Sequence, residues 1–99
     1  MRFGTVIGRV VLSRRHESYV GERLMLVSPW KQERFAGDKE AHEFAIVVYD
    51  ELGAAPGQTI AISEGREAAC PFDPPRPVDA YCAALVDEYF YQGKTHQET

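Results

Sequence analysis

The sequence predicts a mainly-β domain, a small barrel or sandwich with at most one or two short helices. Three observations predict it. The apolar residues fall in short runs bounded by Gly and Pro, the length of strands and not of helices. β-branched residues fill the first and clearest of these runs. A run of prolines from Pro71 to Pro77 forbids regular helix and central strand late in the chain. The chain has 99 residues, enough for one domain and one modest core.

The elements follow in order. Phe3 to Leu12 is rich in Val and Ile and holds Gly4 and Gly8, four apart and therefore on one face of a strand. Glycine inside a strand marks a bend or a close backbone approach, as the first strand of a coiled small barrel requires. Ser13 to Glu22 is polar and reads as a loop. Arg23 to Ser28 is a short apolar run, predicted to be a buried strand that Pro29 ends. Trp30 to Glu43 is charged and reads as an exposed loop or as two short strands joined at Gly37-Asp38. Phe44 to Tyr49 is the clearest strand, and Asp50 to Gln58, with Gly53, Pro56 and Gly57, is a tight turn. Thr59 to Ser63 is another strand, and Glu64 to Cys70 is compatible with one helical turn. Val78 to Tyr91 carries both a helical stripe and an unbroken strand face, and periodicity does not choose between them. Gln92 to Thr99 is a polar tail, expected to fray.

Composition narrows the function. Fifteen acidic residues against eleven basic ones give a net charge of −4. A protein dedicated to nucleic acid or an anionic membrane surface carries an excess of Lys and Arg instead. No apolar stretch has the length of a membrane span, and Gly4, Gly8 and Arg9 interrupt the only candidate leader, so a cytoplasmic setting is expected. Cys70 and Cys82 fit that setting as reduced thiols, small side chains buried or half-buried. His16, His42 and His96 share no ligand spacing, Ser13 and Ser63 lack a nucleophile-elbow context, and no phosphate-cradling loop occurs. Asp50, Asp79 and Asp87 read as turn-capping or interface carboxylates and not as an acid–base pair. No enzyme activity, cofactor or metal is expected. The rival reading is a monomeric barrel binding single-stranded nucleic acid through Arg9, Arg14, Arg15 and Arg23. Glu17 and Glu22 sit among those arginines and oppose it.

Three stretches together resemble the EutN/CcmL family of bacterial microcompartment vertex proteins. Gly4-Thr5-Val6-Ile7-Gly8-Arg9-Val10-Val11 is similar to that family's opening strand, and Gly21-Glu22-Arg23-Leu24-Met25-Leu26-Val27 to the segment after it. Asp50-Glu51-Leu52-Gly53-Ala54-Ala55-Pro56-Gly57-Gln58-Thr59-Ile60 resembles its glycine-rich turn, with Ala55 where a second glycine is usual. Pro77-Val78-Asp79-Ala80, with the apolar run to Val86-Asp87, resembles its last strand. The order holds from residue 1 to about residue 88.

The resemblance implies a five-stranded, OB-like β-barrel that binds no nucleic acid, with strand at Val78 to Val86. One domain spans residues 1–99, with its core to about 88 and the polar tail from 92. The implied role is a homopentamer at the vertices of a polyhedral protein shell, in contact with hexameric and trimeric shell tiles. Asp50, Gly53, Gly57 and Asp79 then fall at turns or at the contact between subunits. Ser63, Glu64, Gly65, Arg66 and Glu67 fall near the five-fold axis, where charge would bias ion passage. Trp30 and Phe35 either meet neighbouring tiles or cover one end of the barrel.

Overall fold

Alternation of apolar residues builds the sheet. A computed structural model describes residues 1–11, 23–64 and 80–98. The strands are β1 (Arg2–Val10), β2 (Arg23–Pro29), β3 (Ile46–Asp50), β4 (Thr59–Glu64) and β5 (Ala80–Leu85). They close into a barrel in the order β1-β2-β3-β5-β4. All neighbours are antiparallel except β3 and β5, which run parallel and meet at Tyr49 and Tyr81. This is the five-stranded barrel that the resemblance implies, and it resolves residues 80–85 as strand.

Every second residue points inward, as a period of two requires. Met25 and Val27, Ile60 and Ile62, and Ala80 and Cys82 fill the interior with Val6 and Val48. Each fully buried aliphatic side chain here contributes about 1.5–3 kcal/mol relative to exposure. Gly4 also faces inward. A Cβ there would lie 2.6 Å from Val27 Cγ1 and 2.9 Å from Ile62 Cδ1. A β-bulge between Val6 and Gly8 breaks the alternation. Gly8 is therefore paired with the outward Leu26 and does not share Gly4's face, contrary to the simple count of four. The bulge bends β1, which a closed barrel of so few strands needs.

Three segments depart from the sequence expectation. The third strand begins at Ile46, leaving Phe44 outside it and 95% exposed. Trp30 to Glu43 is neither plain loop nor two strands. It holds one helical turn, α1 (Gln32–Phe35), and a bridge between Trp30 and His42. The C-terminal tail is a hairpin and not a frayed end: β6 (Glu88–Tyr91) pairs with β7 (Lys94–Gln97). Gln92 and Gly93 both take positive φ, 48° and 79°, the geometry of a two-residue hairpin turn.

α1 and the hairpin roof the outer face of β1 and β4. Phe3 on β1 packs against Trp30, Phe35 and Tyr89, with ring centroids 5.3–6.2 Å apart. The Tyr89 hydroxyl donates to the Phe35 carbonyl (3.1 Å). Burial, and then the Glu98 carboxylate, push the Tyr89 phenol up, which keeps it a neutral donor. His96 stacks on the Tyr89 ring, with centroids 4.7 Å apart.

Candidate functional site

The turn after β3 is held by one buried side chain. Asp50 is 1% exposed, and its carboxylate accepts from the backbone N–H of Leu52 (2.8 Å) and of Ala54 (2.9 Å). Arg23 lies 3.9 Å from Asp50 and donates to the Ala54 carbonyl (3.1 Å). The Gln58 side chain accepts from Ala55 N–H (2.8 Å). Gly57 N–H then donates to the Val6 carbonyl (2.7 Å), and Val6 N–H to the Gln58 carbonyl (2.9 Å). Asp50 thus works as a turn carboxylate within one chain. Gly53 and Gly57 both take positive φ, 80° and 91°. The close backbone approach at Gly57 is made to β1 of the same chain. Asp79 lies outside the described residues.

At one mouth of the barrel, Arg2 is clamped by Glu64 through Nε (2.6 Å) and Nη2 (3.1 Å), and meets Glu43 at 3.1 Å. The Glu64 hydrogen bond is the main reason the Arg2 guanidinium holds its proton more tightly than usual. Of the expected axial stretch, Ser63 and Glu64 end β4, half-buried, and Gly65, Arg66 and Glu67 lie outside the described residues. The Glu64 charge is already matched inside its own chain.

Trp30 is 4% exposed and Phe35 is half-buried. Trp30 donates through its indole N–H to Thr5 Oγ1 (2.8 Å), and Thr5 also meets His42 Nε2 (3.2 Å). Arg34 lies 4.1 Å over the Trp30 ring and 3.6 Å from Glu98. Glu98 also accepts from the Thr59 hydroxyl (2.9 Å). Trp30 is therefore spent on its own chain, covering the barrel side. Sequence reasoning missed Arg34 and Glu98, and it read Tyr89 with Phe90 and Tyr91 as interface aromatics, whereas Tyr89 packs inside the roof. Alternating Tyr89 and Tyr91 ahead of Gly93 is the signal that marks the hairpin.

Beside this roof, a groove of about 350 Å³ is lined by Arg2, Lys31, His42, Glu43, Phe44 and Ile46. Among the described residues, no three His, Cys, Asp or Glu side chains gather to hold a metal. Arg23, one of the arginines on which a nucleic-acid groove would rest, is tied to the Asp50 turn, and Arg14 and Arg15 lie outside the described residues.

Fold and side chains together define a class: a small closed OB-type barrel whose polar residues tie down turns and a roof. Among the described residues, Phe44 and Phe90 stand exposed on its surface. The family model of EutN/CcmL, described as ethanolamine utilisation protein EutN/carboxysome, matches residues 1–87. The chain belongs to that family. It is similar to the CcmL structure from Gloeobacter violaceus at 27% identity and a TM-score of 0.82, covering 96% of this chain and 94% of that one. It is similar to the GrpN pentameric microcompartment shell protein from Rhodospirillum rubrum at 30% identity and a TM-score of 0.73, covering 92% and 98%. EutN from Escherichia coli shares the fold at 24% identity and a TM-score of 0.81, covering 96% and 94%. Among curated proteins, none matches the chain in sequence.

Proposed function

We propose that this chain is a structural subunit of a bacterial microcompartment shell, forming homopentamers that cap the vertices. The observation that carries the reading is family membership across residues 1–87, joined to 30% identity with a pentameric microcompartment shell protein. Geometry gives the role its reason. A sheet of six-fold tiles closes only where five-fold points interrupt it, and a ring of five supplies one. Such a ring joins two different patches of the same chain.

The whole chain, residues 1–99, acts as one unit in this reading, inside the bacterial cytoplasm. The neighbours would be hexameric and trimeric shell tiles. The stretch from Ser63 to Glu67 would border the axial opening. Because Arg2 already matches Glu64, the charge of that opening would fall to Arg66 and Glu67. Phe35, half-buried at the rim of the roof, is better placed than Trp30 to meet a tile. Asp50, Gly53 and Gly57 would act by holding the turn in shape.

Native mass spectrometry of the purified protein tests the reading. A species five times the chain mass is expected at micromolar concentration. Single chains at every concentration, with or without shell tiles, would overturn it.

A further inference from the structure

Among the described residues, two large aromatic side chains stand uncovered, one just ahead of β3 and one on β6, and each has a distinct electrostatic setting. Phe44 is 95% exposed and forms one wall of the groove at the barrel mouth. Ile46, the half-buried His42 and the exposed Lys31 line it as well. Arg2 and Glu43 also line it, but they are paired with each other at 3.1 Å. Among the described residues, no carboxylate lies within ion-pair distance of Lys31. The groove therefore combines two apolar side chains, Phe44 and Ile46, with one unmatched positive charge.

Phe90 is the second aromatic, 72% exposed. It lies on β6, where successive side chains alternate between faces. Tyr89 and Tyr91 turn towards Phe35, with ring centroids 5.4 and 6.0 Å away. Phe90 and Glu88 consequently project together from the outer face of the hairpin. Glu88 is exposed, and its only polar contact among the described residues is Gln97 Nε2 at 2.8 Å. The hairpin itself is held firmly through Tyr89 to the Phe35 carbonyl, and through Glu98 to Arg34 and Thr59. Phe90 is thus presented on an anchored element, which lowers the ordering cost of a contact.

We propose that Phe90 of one copy seats in the Phe44–Ile46 groove of the next copy, with its Glu88 paired to Lys31 there. This rests on the pentamer reading and names the surfaces that join the ring. The occupant is a second copy because both halves of the contact lie on this one chain with opposite charge. A knob on one surface and a hole on another make a head-to-tail contact, the type that generates a ring. A two-fold pair would need knob and hole to lie together on one self-complementary face, and a pair of copies in place of five is the outcome that would show it. The aromatic anchor in a desolvated groove would carry most of the affinity, and the ion pair would set register.

Charge exchange tests it. Native mass spectrometry and sedimentation are run on the full-length protein, on Lys31→Glu, on Glu88→Lys and on the double exchange. Thermal melts followed by circular dichroism confirm that each variant folds. Each single change is expected to weaken ring formation about tenfold or more, and the double exchange to restore it. Phe90→Ser should weaken it at least as much, with an unchanged melt of the separated chains. Rings in both single variants that match the parent in yield and stability overturn the contact and leave the pentamer reading standing. So does failure of the double exchange to recover rings lost by the singles. A parent protein found only as single chains overturns both.

Discussion

At the scale of residues, two glycines in one strand have different reasons to be there. Gly4 faces Val27 and Ile62 with no room for a methyl group, whereas a Cβ at Gly8 meets Leu26 Cβ at an ordinary 3.9 Å. Gly4→Ala is expected to destabilise the fold by about 1–3 kcal/mol through overpacking, and Gly8→Ala to leave it within about 0.5 kcal/mol. Urea titration of the two variants checks this. Asp50 gives a second case. Asp50→Ala strands two backbone N–H groups, and a loss of about 2–3 kcal/mol is expected in the same titration. The exposed half of the Arg23 side chain makes the ion pair itself a minor part of that loss. Burial, and then the neighbouring Asp50 charge, push the Cys82 thiol up to about 11. Its folded pKa lies above its unfolded one. The stabilisation is therefore complete below about pH 8.5 and is lost as pH rises towards 11. In a Cys70→Ser background, Cys82 should resist alkylation at pH 8 and react once urea unfolds the chain.

At the scale of elements, the strands with apolar alternation were legible and the polar ones were not. Leu24 to Val27 and Ile60 to Ile62 announce strands because they are short apolar runs that must leave water, and Ile60, Ala61 and Ile62 are all buried. The segment 94–97 buries little, so its sequence says tail; it is ordered by what its partner strand does. Tyr89 docks on Phe35, and Glu98 just beyond the hairpin reaches Arg34 and Thr59. The four-residue α1 is invisible for a similar reason. It has no apolar period of its own and depends on Arg34 lying over Trp30. The turn at 50–58 was readable as a turn from its glycines. That Asp50 holds it was left open, because sequence does not say which carboxylate is buried. Glu98→Ala leaves the Arg34 guanidinium, 11% exposed, without its carboxylate. It should cost about 1–3 kcal/mol in a denaturant titration and shift Trp30 emission to the red as the roof loosens.

At the scale of the molecule, the ring reading makes Gly57 a poor probe of assembly alone. Its positive φ of 91° means that Gly57→Val strains the turn inside a single chain, although nothing lies within 4 Å of the added carbon. That variant should lower the melting temperature before it lowers ring yield, and the two readouts should be measured together. The barrel has one narrow closure. β3 and β5 are paired at Tyr49 and Tyr81, while β4 and β5 are paired along their length. This seam has one paired position where the other four have four to six, so it is the least secured and forms late. Breathing of the native protein should begin where folding finishes. In deuterated water, backbone amides flanking Tyr49 and Tyr81 would then swap their protons well ahead of those shared by β1 and β2. Any neighbour that grips both sides of the seam would slow that swap without touching the interior.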